Sequence, residues 1–98
     1  MLYKFKSKAT GDLIMLDPDG RRMLQIMGRE GQDKGIFLVE QLQGAIEALE
    51  QAVADEEAWL AAQPDIRTDA VVLKQRAQPM LKLLRRCKDL EVDLVWGV

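Results

Sequence analysis

Residues 39–62 read VEQLQGAIEALEQAVADEEAWLAA, and this stretch decides the fold. At 100° per residue its large apolar side chains fall within about 60° of one another, and most carboxylates lie on the other side. The apolar stripe is Leu42, Ile46, Leu49, Val53 and Leu60, flanked by Ala45, Ala48, Ala52 and Trp59. The spacing predicts an amphipathic helix about 36 Å long. It ends before Pro64, because a proline disfavours helical geometry in the residue preceding it.

A second long helix is predicted to begin at Thr68 or Asp69, either of which can cap it, and to run to about Asp89. Its core stripe is Leu73, Ala77, Met80, Leu84 and Cys87. Pro79 lies inside this helix and removes one backbone hydrogen bond, which predicts a kink. The short linker at 63–68 predicts that the two helices pack as an antiparallel hairpin.

The N-terminal stretch predicts a β-hairpin. Residues 2–6 place Tyr3 and Phe5 on one side and lysines on the other, which is the period of a half-buried strand. Turn-forming residues follow, and then the unbroken apolar run LIML at 13–16. Such a run is typical of a strand buried on both faces.

A short helix is predicted after this hairpin. Asp17 can cap it, and Pro18 suits the first helical position. Met23, Leu24, Ile26 and Met27 supply its apolar face, and Gly28 is the expected left-handed terminator.

The element order predicts a single α+β domain over residues 1–98. Residues 92–96 alternate in polarity and predict a final strand that returns to the sheet. Ile36–Leu38 is either a third strand or the approach to the long helix, and the strand order stays open. We expect a small, mostly antiparallel sheet, covered on one face by the short helix and the helical hairpin.

Composition narrows the function classes. The chain has 98 residues, 14 Lys plus Arg, 16 Asp plus Glu, no His and one Cys. Without histidine, and with so few nucleophiles, it is a poor candidate for an enzyme, and we expect no cofactor or metal. No apolar run reaches the about 18 residues of a membrane span, and the N-terminus has no signal-peptide pattern. These features favour a cytoplasmic protein.

Four segments carry a family resemblance: FKSK at 5–8, GDLIML at 11–16, DPDGRRML at 17–24 and GIFLVEQLQGAIEALEQAV at 35–53. With them the chain resembles the bacterial family called domain of unknown function 1840, over nearly its whole length. The resemblance implies a small stand-alone cytoplasmic bacterial protein. It implies no activity and no functional residues.

Motifs that could carry chemistry favour structural roles. Asp17-x-Asp19-Gly20 resembles the start of a calcium loop, but the later Gly and Glu positions do not match, so turn chemistry is favoured. Cys87 lies on a core stripe and has no histidine to activate it, so a buried structural thiol is favoured over a redox sensor.

The loop GREGQDKG at 28–35 leaves two interpretations open. Its glycines, with Arg29 and Lys34, could wrap an anion in backbone N–H groups. It fits no phosphate-binding motif, and Glu30 and Asp33 would repel an anion, so a mobile connector is favoured.

Charge is segregated along the chain. Residues 37–66 contain seven acids and no base, and residues 67–98 contain seven bases and four acids. Contacts between the two long helices are therefore expected to be electrostatically attractive. Two basic rows could contact nucleic-acid phosphates, although edge protection and solvation are favoured. These rows are Lys4, Lys6 and Lys8 on the first strand, and Lys74, Lys82 and Arg85 on the last helix.

The favoured function is a protein-interaction or self-associating module, for which a dimer is one form. A helix about 36 Å long exceeds what a compact domain of this size can cover, so its far end is expected to lack an internal partner. The candidate contact residues are Ala45, Ala52, Trp59 and Leu60. A nucleic-acid-binding accessory and a small-ligand binder at the 28–35 loop are the alternatives.

Overall fold

The computed structural model describes residues 2–8, 10–62 and 72–97. The elements are, in order, β1 (Leu2–Lys6), β2 (Leu13–Leu16), α1 (Asp17–Ile26), β3 (Gly35–Phe37), α2 (Val39–Ala61), α3 (Val72–Asp89) and β4 (Leu94–Trp96). The predicted α+β class and element order are confirmed, and residues 35–37 form a strand. The cap expected at Thr68 or Asp69 lies outside the described residues.

The four strands form one antiparallel sheet in the order β2-β1-β4-β3. The predicted return of the last strand is confirmed, and its place is central. β4 pairs with β1 through Phe5 and Trp96, and with β3 through Val95 and Ile36. The β1–β2 hairpin and β3 are therefore joined only through β4.

The core lies between one face of this sheet and the helices. The inward side chains of the sheet are Tyr3, Phe5, Met15, Phe37, Leu94 and Trp96, all of them buried. The Trp96 ring centroid lies 5.1 Å from that of Phe37 and 6.4 Å from that of Phe5. Because aromatic rings bury large areas and gain from offset contacts, this group contributes strongly to stability.

The predicted helical hairpin is confirmed. Both apolar stripes are buried where the helices meet, and α3 continues through Pro79. Glu50 pairs with Arg85 at 2.7 Å and Glu57 with Lys74 at 3.2 Å, so the acidic and basic helices attract in the antiparallel sense. Such exposed pairs contribute on the order of 0–1 kcal/mol each, so they support the helix register more than they stabilise the fold.

α2 extends beyond the core at its C-terminal end. Its fully buried residues stop at Leu49, and Ala52 and Val53 pack only partly against the core. With 23 residues the helix is about 35 Å long, and the long axis of the molecule measures 44 Å. Trp59, near the end of α2, is 56% exposed.

The ends of α1 differ in part from the sequence prediction. The helix begins at Asp17, so Leu16 occupies the cap position and the expected Asp17 cap is wrong by one residue. Asp17 instead forms an ion pair with Arg21 at 3.2 Å. Gly28 ends the helix as predicted, with φ of +85°. The N–H of Gly28 donates to the Gln25 carbonyl.

α3 ends in the same kind of motif with a less suitable residue. Glu91 takes the left-handed conformation, with φ of +54°. Its N–H donates to the Lys88 carbonyl, and the N–H of Val92 donates to the Cys87 carbonyl. Glycine usually occupies this position, so a glutamate at 91 does not mark the end of a helix in the sequence.

Candidate interaction surface

The sheet has a second face, which none of the described helices covers. Its outward side chains are Leu2, Lys4, Lys6, Ile14, Leu16, Ile36 and Val95, and we call this surface the open face. Leu2 and Leu16 are each 62% exposed and Ile14 is 53% exposed. An apolar group of this kind on one side of a small sheet is characteristic of an interaction site.

β2, an edge strand of the sheet, contributes Ile14 and Leu16 to this surface. The prediction that residues 13–16 are buried on both faces is wrong: Met15 is buried, while Ile14 and Leu16 are exposed. Natural edge strands usually carry charges or prolines that block unwanted pairing. β2 contains neither, so its outer face is apolar and its edge has no charge or proline that would block pairing.

The strand register arranges the open face into two apolar patches. Leu2 lies opposite Leu16, and Ile14 lies opposite Lys4, which groups Leu2, Ile14 and Leu16 into what we call the hairpin patch. On the other side Val95 lies between Lys6 and Ile36. The two lysines of β1 therefore run between the patches.

Lys4 and Lys6 are the charged side chains among the seven described residues that define the open face. The ion pairs among the described residues involve neither of them. Because they are two residues apart on one strand, their Cα atoms are separated by about 7 Å. Tyr3 and Phe5 point into the core, as predicted, so the face offers lysines and aliphatic groups without an aromatic ring.

One end of the open face deepens into a depression of about 620 Å³. It is lined by Lys6, Ser7, Lys8, Ile36, Val39, Glu91, Val92, Asp93 and Val95. The Asp93 carboxylate accepts the Val39 N–H at 2.9 Å and so supports the first turn of α2. Carboxylates and ammonium groups line the same depression, so it does not select for an anion.

The second basic row lies on the other layer of the molecule. Lys74 and Arg85 on α3 pair with α2 carboxylates, and Lys82 is exposed beside them. Because α3 packs on the covered side of the sheet, this row does not join the lysines of β1 into one patch. The six candidate cations thus form two separate groups.

The four candidate interface residues on α2 have different environments. Ala45 is buried and therefore cannot contact a partner in the folded chain, whereas Ala52 is half-buried and packs against the core. Trp59 is exposed and Leu60 is half-buried. The assignment of these four residues to an external contact stays a prediction.

The 28–35 loop contacts the sheet and α2 through Gln32 and Arg29, and the mobile connector expected from its sequence stays a prediction. The indole N–H of Trp96 donates to the Gln32 carbonyl at 3.2 Å. The Arg29 guanidinium lies 4.8 Å from the Phe37 ring centroid and donates to the Gln41 side chain. The loop arginine is therefore engaged within the protein.

Cys87 is buried, as its position on the core stripe predicted. Burial raises the pKa of its thiol, while a contact with the Ser7 hydroxyl acts in the opposite direction. Because thiolate is the reactive form, this environment makes the cysteine unreactive near neutral pH.

Neither a metal cluster nor a membrane span is found among the described residues. Over 2–8, 10–62 and 72–97, no three metal-ligating side chains converge. Within the same ranges no helix is both long and apolar enough to cross a bilayer.

The fold and the surface together define a small α+β protein with one covered and one open sheet face. The chain belongs to the family described as Domain of unknown function (DUF1840), whose sequence model matches residues 1–96. No curated protein and no solved structure matches the chain.

Proposed function

We propose that this chain is a non-enzymatic protein-interaction module that binds another protein through the open face. The observation that carries the proposal is the exposure of Leu2, Ile14, Leu16 and Ile36, which ranges from 41% to 62% on one side of one sheet. Exposed leucine and isoleucine side chains that share one face are stabilised when a partner removes them from water.

The composition supports a binding role more than a catalytic one. The chain has no histidine, and its one cysteine is buried with a raised thiol pKa. The chemistry available at the open face is aliphatic contact and ammonium charge, which recognises a surface and does not transform a substrate. A single unpaired cysteine also fits a reducing compartment, and we propose the cytoplasm.

The lysines favour a different protein over a second copy. If two open faces met about a two-fold axis, the lysines of both β1 strands would be brought together between the apolar patches. Like charges placed opposite each other in an interface are unfavourable by several kcal/mol. A partner without cations at these positions avoids this cost.

Nucleic-acid binding has less support. Sheets that bind single-stranded RNA stack bases on aromatic rings of the exposed face, whereas Tyr3, Phe5 and Trp96 all point into the core. The net charge is −2, and the two basic rows lie on different layers. Ligand binding at the 28–35 loop is also less supported, because Arg29 already contacts Phe37 and Gln41.

Site-specific photo-crosslinking in the cells that make the protein tests the proposal. A photoreactive side chain at Ile14 or Ile36 on the open face is expected to give one discrete heterologous adduct. The same group at Gln51 on the exposed side of α2 is the matched control. Equal adduct patterns at all three positions, or no adduct at Ile14 and Ile36, would overturn the proposal.

Light scattering of the purified protein tests the choice between partner and self. We expect a monomer across the accessible concentration range. A dimer that Leu16→Glu dissociates, together with adducts at Ile14 of twice the chain mass, would replace the heterologous partner by a second copy.

A further inference from the structure

We infer that the partner segment is an amphipathic helix that packs on the hairpin patch and directs a row of carboxylates at Lys4 and Lys6. The inference rests on the proposed function and specifies its ligand. It follows from the charges on the open face, from their spacing and from the packing of helices on the opposite face of the sheet.

Charge complementarity sets the sign of the partner. The charged side chains among the residues that define the open face are Lys4 and Lys6, both positive, and Lys4 lies opposite the exposed Ile14 of the hairpin patch. Glu91 and Asp93 lie in the depression that Ile36 and Val95 also line, on the other side of the lysines from the hairpin patch. When a partner displaces water from the hairpin patch, the neighbouring ammonium groups lose part of their hydration. Carboxylates on the partner compensate for this loss and add direction to an otherwise nonspecific apolar contact.

The spacing of the lysines suits a helix. Side chains at positions i and i+4 of an α-helix lie about 6 Å apart along one face. The Cα atoms of Lys4 and Lys6 are about 7 Å apart, and the flexible lysine side chains cover the difference. Two carboxylates one turn apart on a helix along β1 can therefore reach both lysines together.

The fold already shows how this sheet receives helices. α1, α2 and α3 pack their apolar stripes on the inward face. A helix on the open face would complete a three-layer sandwich, an arrangement in which both faces of a sheet are covered. The apolar side chains of the hairpin patch come from two adjacent strands. A patch of this width matches the apolar stripe of one helix.

The acidic helix of a second copy is a poor occupant. Glu50 and Glu57 on α2 pair with Arg85 and Lys74 of the same chain, and Glu56 pairs with Arg22. The apolar stripe of the same helix is buried as far as Leu49, and Val53 packs partly against the core. To place this stripe on an open face, α2 would have to leave its own core.

A peptide titration followed by NMR tests the inference on the full chain. The probe is a synthetic helical peptide of about 18 residues, with leucines along one face and glutamates at i and i+4 beside them. The matched control peptide has lysine in place of every glutamate. We expect the acidic peptide to bind at least tenfold more tightly and to shift amide signals of residues 2–6 and 13–16.

Charge reversal on the protein gives the second arm. Lys4→Glu with Lys6→Glu is expected to reverse the preference, so that the lysine peptide binds at least tenfold more tightly than the acidic one. Lys82→Glu on α3 is the control and is expected to leave the acidic preference unchanged. Unchanged circular dichroism and thermal midpoint establish that each variant is folded.

Three results would overturn the inference. The first is equal binding of the two peptides, and the second is a set of shifted amides on α2 and α3 in place of β1 and β2. The third is binding to phosphatidylglycerol vesicles that Lys4→Glu and Lys6→Glu abolish, without any peptide preference, which would assign the face to a lipid surface. If crosslinking at Ile14 succeeds while the peptide test fails, the proposed function stands and the partner chemistry is wrong.

Discussion

A Cβ atom at Gly20 would lie 2.7 Å from the side chain of Tyr3. Gly20 is buried within α1, and the Tyr3 ring of β1 occupies the space next to it. The helix thus approaches the sheet at a point where only a hydrogen atom fits. Tyr3 also stacks with Phe5, with ring centroids 6.4 Å apart, which limits how far the ring can move away.

The same substitution at two glycines is expected to have opposite effects on stability. Gly20→Ala should lower the free energy of unfolding by about 1–3 kcal/mol, because the added methyl group overlaps the Tyr3 ring. Gly44→Ala should raise it by up to about 1 kcal/mol, because Gly44 lies within α2 with open space around it and alanine favours helix. Urea denaturation of both variants measures the difference. A stabilised Gly20→Ala variant would contradict the packing of α1 on β1.

The backbone is strained at Glu91, the left-handed residue that ends α3. Glu91→Gly should stabilise the protein by about 1 kcal/mol, because glycine adopts a positive φ without the Cβ penalty. Glu91→Ala removes the carboxylate but keeps the Cβ, so its stability should stay close to that of the native chain. Equal thermal midpoints for the glycine and alanine variants would show that φ at this position costs nothing.

Neighbouring residues of β2 should respond differently to substitution. Met15→Ala is expected to cost about 2–5 kcal/mol, because it removes a buried side chain from the core. Ile14→Thr keeps a β-branched residue on the open face and should change the free energy of unfolding by less than about 0.5 kcal/mol. Chemical denaturation gives both values. A large loss with Ile14→Thr would mean that the open face is covered in the folded protein.

The thiol of Cys87 should be protected by the fold and should make stability depend on pH. A disulfide reagent at neutral pH should react slowly with the native protein and rapidly after unfolding. The folded-state pKa is raised, so ionisation favours the unfolded chain. The thiol contribution is therefore fully present below the unfolded-state pKa and is lost as pH rises towards the folded-state pKa.

Cys87→Ala is the control for this titration. The variant should lose the alkaline decrease in stability that belongs to the thiol, while decreases from other groups remain. An identical pH profile for the two proteins would contradict a raised pKa at Cys87. Rapid labelling of the native protein would contradict its burial.

The helical part of this fold was predictable because long periodic segments leave few alternatives. Leu42 to Leu60 repeats at the helical period through several turns, and the stripe from Leu73 to Cys87 does the same. Both apolar stripes have to be buried and the linker between them is short, so the two helices are expected to pack antiparallel. The acidic and basic compositions of the two helices agreed with that arrangement and with the ion pairs observed.

The open face was not predictable because its decisive residues lie in a short run. Four apolar residues in a row are the same whether the strand is covered on both sides or on one, and Ile14 and Leu16 are exposed because none of the described helices packs on that face. The strand order also depends on the insertion of β4 between β1 and β3. Residues 94–96 carry no local signal for it.

The helix ends show a similar limit. Glycine at 28 marked a left-handed terminator, whereas Glu91 adopts the same conformation because the backbone N–H groups after α3 find the carbonyls of its last turn. Alanine suits both solvent and tight helix packing, so Ala45 and Ala52 gave no signal that separates the two. In the fold, Ala45 is buried and Ala52 packs partly against the core.

The central position of β4 has a consequence for the order in which the chain assembles. Of the described strands, β4 leaves the ribosome last, yet it joins the N-terminal hairpin to β3. Its pairing of Phe5 with Trp96 joins residues about 90 positions apart in sequence, so sheet closure requires a long loop to form first. In a nascent chain stopped before residue 94, the hairpin and β3 cannot yet pair in the native sheet. Its apolar surfaces would be exposed at that stage, and chaperones of the cell would have to keep them from aggregating.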